Sequence, residues 1–156
     1  SYDGADASFE LLARRIIGEI PRYILITEYD VSVKKDSSGK IISSAKAKLE
    51  VDGEKIICEG EGNGPVNALD NAIRQNVDRL AKYSEYLKDL KLVDYKVRIL
   101  NTGTEAVTRV SIESTDSKGK NWFTIGVSTN IIDASFKALV DSLDYKLFKD
   151  NAPASL

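Results

Sequence analysis

Histidine is absent from this 156-residue chain, and cysteine occurs once, at Cys58. The first absence removes the side chain that most often serves as general base near neutral pH and as transition-metal ligand. Together the two exclude zinc sites, Ser-His-Asp triads and Cys-His dyads, leaving only carboxylate, lysine or lone-thiol chemistry for an active site. A single cysteine also excludes an internal disulfide framework and fits a reducing compartment, so a cytoplasmic location is expected. No apolar run is long enough to span a bilayer and no signal-peptide pattern opens the chain, so no membrane partner is expected. Neither charge dominates: 22 Lys and Arg stand against 24 Asp and Glu, a net charge of −2, which provides no basic footprint for nucleic acid. The length suits one domain, or two small halves sharing a core.

What is present is a repeat at an offset of 66 residues. Gly60 falls on Gly126, Ala68 on Ala134 and Ala72 on Ala138; the same ungapped offset places Tyr29 on Tyr95, Val31 on Val97 and Gly53 on Gly119. The best-matching part is a loop that opens a helix. In the first copy it reads Gly60-Glu61-Gly62-Asn63-Gly64-Pro65, and in the second Gly126-Val127-Ser128-Thr129-Asn130-Ile131. Glycines permit tight turning and close approach, Pro65 suits a first helical position, and the free N–H groups that follow favour a carboxylate or phosphate. No Walker-type Lys-Ser/Thr follows, so a P-loop is excluded. The copies differ in chemistry, because three glycines and a proline in one are replaced by Ser128, Thr129 and Asn130 in the other.

Periodicity orders the rest. A helix is expected within 1–20, with Ser8 as N-cap and an apolar face of Phe9, Leu11, Leu12, Ile16 and Ile17, ended by Pro21. Strands are expected at 23–35, 42–51 and 54–59, joined by turns at Asp36-Ser37-Ser38-Gly39 and Asp52-Gly53. A helix then spans about 65–83, with Val66, Leu69, Ala72, Ile73, Val77 and Leu80 buried. After a helical turn and linker over 84–92, the order replays: strands at 94–101, 106–115 and 121–127, with turns at Thr102-Gly103-Thr104 and Lys118-Gly119. A helix over about 131–148 and a frayed tail over 151–156 complete the chain. The class is α+β: two tandem β-β-β-α units, antiparallel sheets covered by helices, in pseudo-twofold packing around a joint core. Considered singly, Tyr95 and Ile99 belong to a core-side strand face, Trp122 is a core or interface anchor, and Cys58 is a small buried hydrophobe. The run Lys82–Lys91 is a solvated helix surface, and Asp70 with Arg74 a surface i, i+4 pair.

The stretches Gly62-Asn63-Gly64-Pro65-Val66-Asn67-Ala68, Asp94-Tyr95-Lys96-Val97-Arg98 and 126–135 resemble the C-terminal regulatory domain of the α-isopropylmalate synthase and citramalate synthase family. Three further stretches, at 3–12, Ile112-Glu113-Ser114 and 138–147, resemble the citramalate branch. The resemblance implies a dimerising domain that binds an end-product amino acid as feedback inhibitor of an acyltransferase acting on acetyl-CoA and a 2-oxo acid. The effector is isoleucine where the substrate is pyruvate, and leucine in isopropylmalate synthases. It implies a connector over 1–21 from a catalytic barrel, and a regulatory domain over 22–156 (units 22–83 and 93–150, linker 84–92). It implies no catalytic residue, metal or cofactor in this part; a divalent metal and acetyl-CoA belong to the catalytic region. The family's effector pocket falls on Asn63, Gly64, Pro65, Val66, Asn67 and Ala68, on Tyr95 and Ile99, and on Leu92, Asn130 and Ile131. Backbone N–H groups would take the α-carboxylate and Val66, Ile99 and Ile131 the branched side chain. The family often carries Asp at the place of Asn67, whose amide oxygen accepts an ammonium hydrogen bond but adds no charge. One methylene discriminates ligands by only about 1 to 3 kcal/mol, so leucine and isoleucine both stay open. A dimerisation module without effector, or an independent enzyme using Cys58 or a carboxylate pair, are the alternatives.

Overall fold

Alternating apolar residues give each half its sheet, and in the computed structural model, which describes residues 6–156, the elements follow in the expected order. They are α1 (Asp6–Ile16), β1 (Leu25–Lys35), β2 (Ile41–Val51), β3 (Glu54–Gly62), α2 (Pro65–Arg74), α3 (Ser84–Leu87), β4 (Lys91–Thr102), β5 (Glu105–Thr115), β6 (Asn121–Ser128) and α4 (Ile131–Lys149). Two antiparallel three-stranded sheets result, in the orders β1-β2-β3 and β4-β5-β6. Asp3, Gly4 and Ala5 of the citramalate-like stretch lie outside the described residues. The chain divides into a first unit, Arg22–Lys88 with Pro153–Leu156, and a second, Asp89–Ala152 with the N-terminal segment through Pro21.

In the first unit, Ser43, Ala45, Ala47, Leu49 and Val51 line the helix-facing side of β2, and all are buried. Val66, Leu69, Ala72 and Ile73 of α2 pack against them as expected. The helix is shorter than its periodicity implies. It ends at Arg74, and two 3-10 turns, Val77–Arg79 and Ala81–Tyr83, replace the rest. The Asn76 amide donates to Ala72 O at 2.7 Å and Glu59 O at 3.0 Å, competing locally with helical backbone bonding, and Ala81 is left-handed with φ 53°. Four further expectations are corrected here. Asp70 is buried rather than at the surface, its carboxylate gripped by Arg74 Nε at 2.7 and 2.8 Å. Within the Lys82–Lys91 run, Tyr83, Leu87 and Leu90 are buried. The tail is pinned rather than frayed: Tyr83 Oη donates to Pro153 O at 2.8 Å, Lys82 Nζ to Ala154 O at 2.6 Å, and Leu156 N to Asp52 Oδ1 at 2.8 Å. Strand β3 runs on to Gly62, so the glycine loop starts inside a strand.

In the second unit, α4 lies over β5 and β6 and buries Val110, Ile112 and Trp122, whose Nε1 donates to Ser142 O at 3.3 Å. Tyr95 and Ile99 do share the face of those core residues, since Tyr95 pairs with Ile112 and Val97 with Val110. They are not core, however: α4 leaves β4 overhanging, and Tyr95 is 44% and Ile99 70% exposed. Helix α1 packs on α4 and β6 through Ala7, Ser8 and Leu11. Ser8 is therefore not an N-cap. It lies inside the helix, donates to Asp141 Oδ2 at 2.8 Å and accepts from Ile125 N at 2.8 Å. The longest side chains of the expected apolar face, Phe9, Leu12, Ile16 and Ile17, point to solvent, because small residues give α1 its close contact. At the far end of this unit, the ammonium of buried Lys146 lies 3.3 Å from Asp116 and 3.4 Å from Asp89, and also pairs with Asp150.

The ungapped offset fails in the middle strands. Ala45 pairs with Gly60 and Val110 with Gly126, so β2 and β5 correspond at 65 residues, while β1/β4 and β3/β6 keep 66. The cause is an exchange of hairpin loops. The same five-residue motif, Asp-Ser-x-Gly-Lys, closes β1–β2 at Asp36–Lys40 and β5–β6 at Asp116–Lys120. In each, the Asp carboxylate accepts the N–H groups two and four residues on, at 2.9 and 2.9 Å or 3.0 and 3.2 Å. Gly39 and Gly119 supply the positive φ. The other hairpins close on the two-residue loops Asp52-Gly53 and Gly103-Thr104, and between equivalent ladder pairs they enclose four residues, at 51–54 and 102–105, where the longer motif encloses five.

Candidate functional site

The glycines of the first loop do different work. A Cβ on Gly60 would collide with the backbone of Ala72, and one on Gly62 would collide with Asn67 Oδ1 and lie 2.7 Å from Ala68 N. Gly126 repeats the contact of Gly60, since its Cβ would collide with Ala134 O and lie 2.9 Å from Ala138 N. These glycines let a strand and the following helix touch, which explains why Gly60/Ala72 and Gly126/Ala138 dominate the repeat. Gly64 is different: a Cβ there would meet nothing within 4 Å. It is the N-cap of α2 in extended backbone, offers no side chain to cap it, and is followed by Pro65. The first intrahelical bond is Ala68 N to Gly64 O at 2.9 Å, so the N–H groups of Val66 and Asn67 precede it. Asn63 is exposed, Asn67 half-buried, and Val66 and Ala68 buried. Asn71 Nδ2 donates to Glu61 O at 2.8 Å and reaches Asn67 Oδ1 at 3.5 Å, which orients the Asn67 amide with its oxygen over Gly62.

The second helix start is closed by its own side chain. Asn130 Oδ1 accepts from Ile132 N at 2.8 Å and Asp133 N at 3.1 Å, while Ser128 Oγ accepts from Asn130 N at 3.2 Å. Pairing aligns Ile99 with Thr108 and Thr108 with Ser128, so one cross-strand row leads from Ile99 to the start of α4. Ile131 and Asn130 are exposed at its end, and Leu92 is half-buried further along β4. The structure thus gathers Asn63 to Ala68 on one turn of the first unit, and Ile99, Asn130 and Ile131 along one row of the second, with Leu92 and Tyr95 further along β4.

The corresponding row of the first unit is Val33, Ser43 and Gly62, leading to the start of α2. Ser43 was not among the residues singled out from the sequence. It is fully buried, and among the described residues its Oγ and Arg109 Nε are the buried side-chain polar atoms without a hydrogen-bond partner. The available signal was a hydroxyl on the stripe Ser43, Ala45, Ala47, Leu49, Val51, where every other member is apolar. An open depression of about 380 Å³ lies elsewhere, lined by Asp30, Ser32, Ser44, Lys46, Glu59 and Glu61 on the polar face of the same sheet. Three carboxylates surround one lysine there and Ala45 is the largest apolar side chain, a lining that suits water rather than a branched side chain.

Other ionisable groups answer to structure. Burial pushes the Cys58 thiol up, away from the thiolate, so the lone cysteine is an inert core residue. Asp144 is pushed up to about 6 by burial, opposed by Arg15 and reinforced by Asp141. Among the described residues no cluster of three or more Cys, Asp or Glu could hold a metal ion, and no helix is long and apolar enough to cross a membrane.

Comparison with known proteins gives this arrangement a context. A family described as the LeuA allosteric (dimerisation) domain matches residues 3–147. The chain is 45% identical over 151 residues to an (R)-citramalate synthase of Geobacter sulfurreducens, covering 95% of this chain and 28% of that protein. It is 45% identical over 152 residues to one of Aquifex aeolicus, covering 96% of this chain and 28% of that protein. A 2-isopropylmalate synthase of Pseudoalteromonas atlantica is 34% identical over 117 residues, covering 74% of this chain and 21% of its own length. The chain therefore spans about 28% of the length of the citramalate synthases it matches.

Proposed function

The chain belongs to the LeuA allosteric (dimerisation) domain family, on its citramalate synthase branch, and from that premise we propose that it is the isoleucine-sensing, homodimeric regulatory domain of an acyltransferase that condenses acetyl-CoA with pyruvate. The observation that carries the sensing role is the uncapped start of α2 at Gly64, in contrast to the start of α4, which its own Asn130 closes. An α-carboxylate at the N–H groups of Val66 and Asn67 gains charge-assisted hydrogen bonds and the favourable end of the helix dipole. Asn67 Oδ1 is the nearby acceptor for the ammonium. The apolar side chain falls to the overhanging face of β1, where Val31 is half-buried and Val33 exposed. A dimer is supported by the apolar row Val93, Tyr95, Val97 and Ile99, each at least 40% exposed on a strand its own helix leaves uncovered. Feedback then requires that isoleucine bind two arrangements of the dimer unequally, because a ligand shifts an equilibrium only by its differential affinity.

Calorimetric titration of the chain with L-isoleucine, L-leucine and L-valine tests the reading. Saturable binding with isoleucine tightest is expected; silence toward all three in a folded dimer overturns it. The amide at Asn67, which adds no charge to oppose an ammonium, favours one competing reading, a dimerisation module without an effector. That reading requires a melting temperature indifferent to all three amino acids.

A further inference from the structure

We propose that Ser43 is a ligand-binding residue, its Oγ and Asn67 Oδ1 together accepting hydrogen bonds from the α-ammonium of the bound amino acid. The inference rests on the reading above and adds to it a second acceptor beside the uncharged Asn67 amide.

Ser43 lies on the helix-facing side of β2 and is fully buried, yet its hydroxyl has no hydrogen-bond partner among the described residues. A buried unpartnered hydroxyl destabilises the folded chain, and alanine at Ala45 and Ala47, the next two positions of the same stripe, shows that this sheet accommodates the apolar alternative. The hydroxyl is placed where it can serve the helix start. Ser43 pairs directly with Gly62, so the two residues stand side by side on one face. The space where a Gly62 side chain would project is occupied by Asn67 Oδ1 and the first turn of α2. Register thus brings the Ser43 hydroxyl and the Asn67 amide oxygen to the same residue, Gly62, both on uncharged side chains. Asn71 holds the Asn67 oxygen in this sense, because its amide donates both to Glu61 O and toward Asn67 Oδ1. A pair of acceptors calls for a donor-rich group, and an ammonium carries three N–H bonds and no acceptor. The N–H groups of Val66 and Asn67 sit on the same turn and call for an anion. A cation-binding oxygen pair beside an anion-binding helix start matches the zwitterion of an α-amino acid. Across the row, Val33 pairs with Ser43 and offers apolar surface.

Titration of Ser43→Ala and Ser43→Thr with L-isoleucine and with its 2-hydroxy analogue, which lacks the ammonium, tests this. Ser43→Ala is expected to bind isoleucine about tenfold more weakly than wild type. Its affinity for the hydroxy acid should fall by less, since a hydroxyl donates one hydrogen bond where an ammonium donates three, and its melting temperature without ligand should equal or exceed that of wild type. Ser43→Thr keeps the hydroxyl, matches Thr108 at the corresponding place in the second unit, and should retain most of the affinity. Undiminished isoleucine binding by Ser43→Ala overturns the proposal. So does an equal loss for both ligands, or a lowered unliganded melting temperature, since either marks a packing role. Wild-type protein that binds none of the amino acids brings down the sensing function as well; wild-type binding with an unaffected Ser43→Ala brings down this inference alone.

Discussion

The row Val33, Ser43, Gly62, Gly64 in the first unit and the row Ile99, Thr108, Ser128, Asn130 in the second occupy the same place in the repeat and are finished oppositely. In the second unit, Ser128 and Asn130 spend their side chains on the backbone of the helix start. In the first, both of those positions are glycine, the helix start has no side-chain cap, and a buried hydroxyl has no partner among the described residues. A duplicated element thus keeps its architecture in both copies while one copy stays chemically unsatisfied. The shared part and the differing part are separable, and each can be attacked.

The largest effect belongs to the shared part. Gly60→Ala and Gly126→Ala each force a Cβ into the backbone of the following helix. Each is expected to cost about 3 kcal/mol, as overpacking of a close contact does. Thermal unfolding should show similar losses for the two, because the contact is the same. A tolerated substitution at either position would separate the architectures of the two halves.

The next effect belongs to the differing part. Gly64→Asn transplants the cap of the second unit into the first. Space around Gly64 is open and its φ of −159° admits any residue, so the fold should gain a few tenths of a kcal/mol from capping. Isoleucine binding should fall at least tenfold, since the N–H groups are then taken internally. Calorimetry and melting temperature must move in opposite directions; a variant that titrates like wild type would remove the helix start from the ligand site.

A smaller effect concerns how the first unit is closed. Tyr83→Phe deletes the hydrogen bond to Pro153 O and should lower stability by about 1 kcal/mol. Deleting 153–156 removes in addition the bonds from Lys82 Nζ to Ala154 O and from Leu156 N to Asp52 Oδ1 and should cost more. Equal stability of both with wild type would show the tail to be idle.

How much of this was legible depends on distance along the chain. Strand alternation and the turns at Asp52-Gly53 and Asp36–Gly39 are local signals, and they placed all six strands. That the two helix starts differ in chemistry was legible too, because Gly64 and Asn130 are single local residues, although the sequence reading gave Asn130 to the ligand and not to its own helix. Three things were not. The buried face of α1 is set by the small residues Ala7 and Ser8 meeting α4 and β6, whereas periodicity pointed to Phe9 and Leu12. The end of α2 depends on an Asn76 side chain reaching back to Glu59 O. Ser43 was hidden because exchanged loops shift the middle strands by one residue, and a one-residue slip turns every side chain to the other face. Under the ungapped offset Ser43 falls on Arg109, which lies on the opposite face, and the true counterpart Thr108 goes unseen.

The smallest effect separates the halves by the sign of their pH response. In the first unit, Asp52 is held below the ordinary carboxylate range by its hydrogen bond from Lys82 and by the Leu156 N–H. A depressed carboxyl contributes stability above its unfolded value and loses it as pH falls through the folded one. In the second unit, Asp144 is raised from 3.8 to about 6, chiefly by burial, with Asp141 adding to the rise and Arg15 opposing it. A raised carboxyl binds its proton more tightly when folded, so its contribution is complete below 3.8 and is lost as pH rises through about 6. Melting temperature measured from pH 3 to pH 7, as roughly spans both values, should therefore show two opposite differences. Wild type minus Asp52→Asn should grow as pH rises out of the acid range, and wild type minus Asp144→Asn should shrink between about 4 and about 6. Parallel curves for the two variants would mean that Arg15 fully compensates the burial of Asp144, and that the two units answer acid alike.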